Sequence, residues 1–585
     1  MRMKTIVSPG REMTKLHCCL FPDDYEFERE TLVQLWMAVG FLRDKHTEDA
    51  GNLKFDALLE GQYILPARVD ILTAKSKYKV NYDKVTTLLN GMLTIQNKDL
   101  RAMLEDENAY VIGSKFWHVS IVSNHIDQGT FETLKTFNEV RTLLLVRDYD
   151  SSLKQIPSDL FLALKSIQAL DLSGSHITEL PSSIGNLIQL SYLDLSFTLI
   201  ESLPESIDRL HQLQTLKLEW CRHLYILPDG MKELVGLRYL YFDVLGQLTI
   251  MPKGIGALTE LRTLSAFIVD SGEGCSIREL QHMNNLKGSF CISGLENVTQ
   301  REARETTLSD KKYLTQLQLR WNDFKSYSVQ DLRCMYWTTH YLKPNLCLEE
   351  LQVLYYPGLN LPAWMGSPEY ERLVSITLLK CAIKELQIRL GELPNLKYLK
   401  ITLMYKLTDI NRLVHAKDGI VSFPKLETLL IDGMPQLDSW IRVTYDDFPL
   451  LSKLIVKQCP KLSVLLFLPH LRSLKHLEIS HCKVLKSLSD GPALSKSLET
   501  LEIDACPLLK KKCMKGGEGW FEIEHIPEIT IDLKDVRSIQ EDGADDDTSS
   551  AVSYSDSDND YEGLENNVHP YDSCSPARAD MVIYL

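Results

Sequence analysis

The chain has 585 residues, 44% of them hydrophobic, and a formal net charge of −15. Ten of the excess negative charges fall between Glu541 and Glu565, a stretch without Lys or Arg, so the rest is close to balance and offers nucleic acid no bulk electrostatic attraction. Its 13 cysteines show no Cys-x-x-Cys pair and no regular spacing, which argues against a zinc site and a disulfide framework and favours a reducing compartment.

Residues 1–12 are expected to be irregular. From there the pattern is helical: Glu28–Val39 places Leu32, Leu35, Trp36 and Val39 on one face, and Gly40 offers a stop. Leu53–Leu59 predicts a second short helix and Lys77–Val80 a strand. Small helices with a strand pair suggest a small, mainly helical winged-helix domain over residues 13–115, followed by a linker over 116–140. It carries no dense basic stripe of the kind DNA binding needs.

From residue 141 to 531 the chain repeats. Leu170 and Leu172 give way to Leu193 and Leu195, to Leu216 and Leu218, then to Leu240 and Phe242, and to Leu264 and Ala266. The period is near 23 residues with the pattern Leu-x-x-Leu-x-Leu, a leucine-rich repeat. Less regular units continue to Leu501 and Ile503, and a first rung at Leu143 and Leu145 brings the expected number to about fifteen. Each short strand buries alternate side chains only by stacking on its neighbours, so the predicted fold is an α/β solenoid with a curved parallel sheet. Pro181, Pro204, Pro228 and Pro252 recur where the chain leaves the sheet, which predicts an irregular or helical convex side.

The leucines are core. Function therefore belongs to the residues between them, on the concave face: Tyr192, Asp194, Lys217, Glu219, Tyr239, Tyr241, Asp243, Arg320, Trp321 and Lys400 are the candidate protein-binding surface. Tyr, Trp and Arg most often anchor protein interfaces. After Asp532 the composition turns to Asp, Glu, Ser and Asn, so residues 532–585 are expected to form an acidic disordered tail. Ser553, Ser555 and Ser557 each precede an Asp by three positions and are candidate phosphorylation sites.

The runs Leu20-Phe-Pro-Asp-Asp-Tyr25 and Leu35-Trp-Met-Ala-Val-Gly-Phe-Leu42 resemble the winged helix of the plant disease-resistance proteins that combine a nucleotide-binding module with leucine-rich repeats, in their coiled-coil subgroup. The resemblance continues through Leu286–Val298, Asp310–Leu314 and Cys506–Leu509, with Trp520 and His525–Pro527, and covers about residues 13–532. It implies an intracellular receptor in plant defence. The protein it binds would be a pathogen effector, a guarded host protein, or a nucleotide-binding module in another chain. The expected compartment is the cytoplasm, with the nucleus as a second one.

Full-length relatives hold ADP or ATP, which requires Gly-x-x-x-x-Gly-Lys-Ser/Thr, and no such loop occurs here. Where the family has Met-His-Asp, this chain reads Asn81, Tyr82 and Asp83, and a phenol cannot present imidazole nitrogens to a phosphate. Asp83 is expected to be structural, as a helix N-cap. These features predict no cofactor and no nucleotide switch in this chain, hence a truncated form of such a receptor, an incomplete gene model or a pseudogene product. No metal-ligand, hydrolase or kinase motif appears, so no enzyme and no metal site are expected. The longest apolar run, Val464–Leu468, is far short of the roughly 20 residues a membrane span needs. A second reading is a leucine-rich-repeat scaffold or adaptor without an immune role, which does not account for residues 15–42.

Overall fold

The computed structural model describes residues 18, 20–21, 25–42, 47–69, 75–84, 102–105, 118–122, 128–145, 153–243, 246–270, 275–322, 327–410, 421–438, 440, 446–465, 467–489 and 494–536. Ser553, Ser555 and Ser557 lie outside the described residues.

Helices Arg29–Ala38 and Thr47–Glu60 pack on a three-stranded sheet in which Ser76–Val80 lies antiparallel between Phe27–Glu28 and Ile64–Val69. Leu32, Leu35, Trp36, Phe55, Ile64 and Val80 form its core. Gly40 takes a left-handed φ of 73° and ends the first helix as expected. The second helix is longer than the apolar spacing implied, because its first turn carries Thr47, Glu48 and Asp49 rather than apolar residues.

The repeats form two parallel sheets, one of eight strands and one of twelve whose last strand folds back antiparallel. Every predicted rung falls within or directly beside a strand. Strand His118–Val122 pairs in parallel with Thr142–Leu145, and Ala102–Glu105 pairs in parallel with His118–Val122, so the sheet extends into the residues expected to be winged helix and linker. At the other end Lys534–Asp535 turns back on Glu528–Ile531 and covers the last edge, so the sheet continues past the expected boundary at 531.

Between Thr263–Leu264 and Ala266–Ile268 the two sheets meet at a seam. Leu240 pairs with Leu264 on one side, while Phe267, not Ala266, pairs with Ile292 on the other. One extra residue therefore slips the register at Ser265. Beyond the strands, Pro181, Pro204 and Pro228 each stand directly before a short 3-10 helix, Ser182–Asn186, Glu205–Arg209 and Asp229–Glu233. The expected helical return is thus built from 3-10 turns, with an α-helix, Val329–Tyr341, inserted where two rungs lie unusually far apart.

Three of the cysteines, expected to lack regular spacing, keep the interval of the repeats. Cys459, Cys482 and Cys506 follow three successive strands, and the Cys482 amide donates to the Cys506 sulfur at 3.3 Å. Their thiols reach the carbonyls of Lys457, Ser480 and Asp504 at the strand exits. In earlier repeats Ser175 and Thr198 play the same part through Leu172 O and Leu195 O. Burial pushes the Cys221 thiol up to about 11, and the Cys459 contact followed by burial pushes Cys482 to about 12, which makes both poor nucleophiles. Lys311 is also fully buried. Its ammonium donates to the carbonyls of Leu280 and Met283 at 2.6 and 3.1 Å and closes the end of the 3-10 helix Ile277–His282.

Candidate functional site

Pairing between strands arranges the outward side chains of the first sheet in rows. One row runs Thr142, Ala169, Tyr192, Thr215, Tyr239, Thr263 and the next Leu144, Asp171, Asp194, Lys217, Tyr241. The winged helix sits on these rows. Leu144, Ala169, Tyr192 and Tyr239 are at most 3% exposed and share one apolar cluster with Leu35 and Trp36.

Polar contacts fix the register of the docking. The Glu48 carboxylate accepts from Tyr239 Oη at 2.8 Å, Arg262 Nη1 at 2.9 Å and Lys287 Nζ at 2.6 Å. Gln34 Nε2 donates to Tyr241 Oη at 2.9 Å, and Lys217 Nζ donates to Thr31 Oγ1 at 2.8 Å. Burial alone would raise the Glu48 carboxyl, but Lys287, Tyr239 and Arg262 outweigh it and hold it below the ordinary range.

Six of the expected surface residues, Tyr192, Asp194, Lys217, Glu219, Tyr239 and Tyr241, therefore lie under or beside this chain's own winged helix. Asp194 accepts from Tyr192 Oη and from the Ser196 amide, and Asp243 accepts from the Trp220 amide at 2.7 Å. Trp321 is only 2% exposed and meets Tyr356 edge-on at 4.9 Å. It shares the parity of the buried Leu317 and Leu319, so the alternation that makes those residues core makes Trp321 core as well.

Arg320 and Lys400 belong to the second sheet, where no winged-helix residue covers the concave face among the described residues. The Arg320 guanidinium lies 5.2 Å from the centre of the Tyr355 ring, the Lys380 ammonium 5.5 Å from the same ring, and Arg320 Nη1 is buried without a hydrogen-bond partner. Tyr398, beside Lys400 on the same strand, is 47% exposed. Further along, His476, Glu478 and Glu502 bring their ligand atoms within 4.8 Å of one another, but Lys457 Nζ already pairs with Glu478 at 2.5 Å.

The Asn81–Asp83 segment is engaged within the winged helix. Asn81 Nδ2 donates to Gln62 O, and Tyr82 Oη donates to Phe21 O at 3.0 Å. Residues 82–84 are helical, so the position before the helix is Asn81 and not the expected Asp83.

Acid should act on this assembly in two stages. Burial raises the carboxyls of Glu219 and Asp243, the latter to about 6, so they take up protons more readily folded than unfolded. Lowering the pH from 7 to 5 is therefore stabilising through these groups. For Glu28, burial is outweighed by the Lys75 and Lys77 ammoniums at 2.9 Å, which hold the carboxyl at about 2 against an ordinary 4.5. That contribution, about 3 kcal/mol, is complete above the unfolded value and is lost as the pH falls toward 2. Burial also holds the His118 imidazole at about 4 against an ordinary 6.5, which opposes that gain between pH 7 and 5, so the expected melting temperature of the chain stays level down to about pH 5 and drops below about pH 4. Thermal unfolding followed across this range checks it, and a steady loss starting above pH 5 contradicts it.

The family model described as the winged-helix domain of disease resistance proteins matches residues 20–83. A leucine rich repeat model matches residues 166–222, and one for R13L1/DRL21 LRRs matches residues 277–404. The "Putative disease resistance RPP13-like protein 1" of Arabidopsis thaliana is 32% identical over 528 residues, 85% of this chain and 48% of that protein. The "Putative disease resistance protein RGA4" of Solanum bulbocastanum is 32% identical over 504 residues, 84% of this chain and 46% of that one. A further Arabidopsis thaliana relative, also named a disease resistance protein with the qualifier "Putative", is 33% identical over 87% of this chain and 35% of its own length. The chain thus spans between a third and a half of the length of these relatives. Among solved structures, a Leptospira interrogans leucine-rich-repeat protein aligns with a TM-score of 0.45 at 18% identity, covering 76% of this chain and 98% of that one. No helix among the described residues is long and apolar enough to cross a membrane.

Proposed function

Because the chain belongs to the plant disease-resistance proteins that join a winged helix to leucine-rich repeats, we propose that it is the recognition part of an immune receptor, with the later concave strands as its binding surface. The observation that supports this division is the coverage of the sheet. The winged helix covers Leu144, Ala169, Tyr192 and Tyr239 on the first sheet and leaves Tyr398 of the second exposed, on the same strand face as Lys400. A pathogen effector or a guarded host protein bearing carboxylates suits the cations that Arg320 and Lys380 set against the one Tyr355 ring.

The winged helix, on this reading, performs no nucleotide switch in this chain. Asn81 and Tyr82 are spent on backbone carbonyls of its own fold. Its tyrosine-lined contact with the repeats acts as a resting clamp.

The test is a comparison of partners recovered from infected leaf tissue by the parent chain and by Arg320→Glu/Lys400→Glu. Reversing two charges at a central contact typically costs at least about 2 kcal/mol, so recovery of the bound protein should fall at least about thirtyfold. Lys312→Glu, at an exposed position before strand residue Tyr313, should leave recovery unchanged. Equal recovery by all three chains removes the later concave strands as the recognition surface.

A further inference from the structure

We infer that the acidic segment 541–565 docks on a lysine-rich flank of the last repeats and is held there by charge. Helix Pro507–Cys513 carries Lys510, Lys511 and Lys512, and Lys515 follows it. Lys510 pairs with Asp532 at 2.5 Å, and the other Asp532 oxygen accepts from the Ala505 amide at 3.0 Å. These two bonds bring the C-terminal part of the chain directly beside the lysine helix. Lys534–Asp535 then turns back on Glu528–Ile531, and the described chain ends at Val536 within this corner.

The remaining lysines have no such partner. Lys511 and Lys515 are exposed, and neither they nor Lys512 pairs with a carboxylate among the described residues. The preceding repeat adds exposed Lys483 and Lys486, which follow Cys482, and the Cys482 amide bonds the sulfur of Cys506 just ahead of the lysine helix. A capped helix C-terminus gains from one or two cations. A group of this size exceeds that need and leaves several ammoniums for an anion.

The segment that begins five residues beyond Val536 supplies one. Residues 541–565 hold ten carboxylates and no cation. Five extended residues reach about 17 Å, so the first acidic residues cannot leave the neighbourhood of the flank. A connection this short costs little closure entropy and keeps the effective concentration of the segment at roughly the millimolar level. Ser553, Ser555 and Ser557 lie inside it, and each phosphate would add about −1.5 to −2 charges and strengthen the same contact.

Carbodiimide cross-linking of the full chain, read by mass spectrometry, tests the contact. The expected products join carboxylates of 541–565 to Lys511, Lys512 and Lys515, with the Lys510–Asp532 product as internal reference. Their yield should fall at least about fivefold in 1 M salt, where screening shortens to about 3 Å. Absence of these products while the reference forms overturns the proposal. So does an equal yield on the distant exposed lysines Lys165 and Lys253. An external polyanion provides the second reading: a chain ending at residue 540 should elute from heparin at higher salt than the full chain, and identical elution means that the flank is not covered by the tail.

Discussion

Replacing Glu48 by lysine is expected to lift the winged helix off the first sheet. The carboxylate is the shared acceptor of Tyr239, Arg262 and Lys287, at 2.6 to 2.9 Å, and its side chain is 21% exposed. Removing one partner of a partly desolvated ion pair costs about 3 kcal/mol or more, and a lysine at this point adds repulsion from two cations. The docked population should fall by about a hundredfold or more. Amide exchange should then quicken in Thr215–Leu218 and Tyr239–Phe242, and protease access to the stretch between the two domains should rise. Glu48→Gln keeps an acceptor and should show a smaller effect in the same direction. Asp49→Lys is the control, because Asp49 shares the first turn of helix Thr47–Glu60 but is exposed. If Asp49→Lys loosens the repeats as much as Glu48→Lys, the helix start and not the Glu48 contact holds the domain.

Gly294→Ala should damage the solenoid locally and severely. Gly294 has a φ of 75°, and a Cβ there would stand 2.3 Å from the Val269 carbonyl oxygen. That oxygen also accepts from Asn297 Nδ2 at 3.0 Å, so it cannot move away without breaking a second bond. The left-handed backbone alone costs an alanine about 1–2 kcal/mol, and the clash should bring the loss to about 3 kcal/mol or more. In a stacked array the damage spreads to nearest neighbours first. Faster exchange is expected in Ala266–Ile268 and Lys287–Ser293, with little change near Thr500–Asp504. Gly174→Ala separates the two causes, since φ is 69° there but nothing lies within 4 Å of the added carbon. Equal losses in both variants would mean that backbone conformation alone sets the cost.

The rungs were readable because an inward leucine recurs at a fixed interval and the alternation of a strand leaves no other face for it. The winged helix was readable from Leu32, Leu35 and Trp36 at helical spacing. Less of the rest shows in sequence. Strands Ala102–Glu105 and His118–Val122 lack the leucine pattern, and the slip at Ser265 is a single residue in a run that reads as strand either way. Cys459, Cys482 and Cys506 stand 23 and 24 residues apart, the interval of the rungs Leu454, Leu477 and Leu501, and are lost from view only among the ten other cysteines.

The domain contact did leave a trace. Outward positions of the first sheet mix Leu144, Ala169, Tyr192, Tyr239 and Tyr241 with Asp171, Asp194 and Lys217, whereas those of the second include Gln316, Gln318, Glu350, Gln352, Glu478 and Glu502. Large apolar and aromatic side chains clustered on an outward face mark a surface that is covered. Tyr239 and Tyr241, expected on a surface for another protein, bond Glu48 and Gln34. Their partner proved to lie in the same chain.

Glu48 takes one cation from each side of the seam: Arg262 leads into the last strand of the eight-stranded sheet, and Lys287 opens a strand of the twelve-stranded one. A single carboxylate thus works as a strain gauge across the joint between two stiff plates. Any tilt of one plate against the other lengthens one of its two bonds, and a bond that is 2.6 or 2.9 Å long has little to give before it is lost. The Lys287 amide also donates to the Arg262 carbonyl at 2.8 Å, so the carboxylate of the winged helix and the backbone of the repeats close the same joint from two sides.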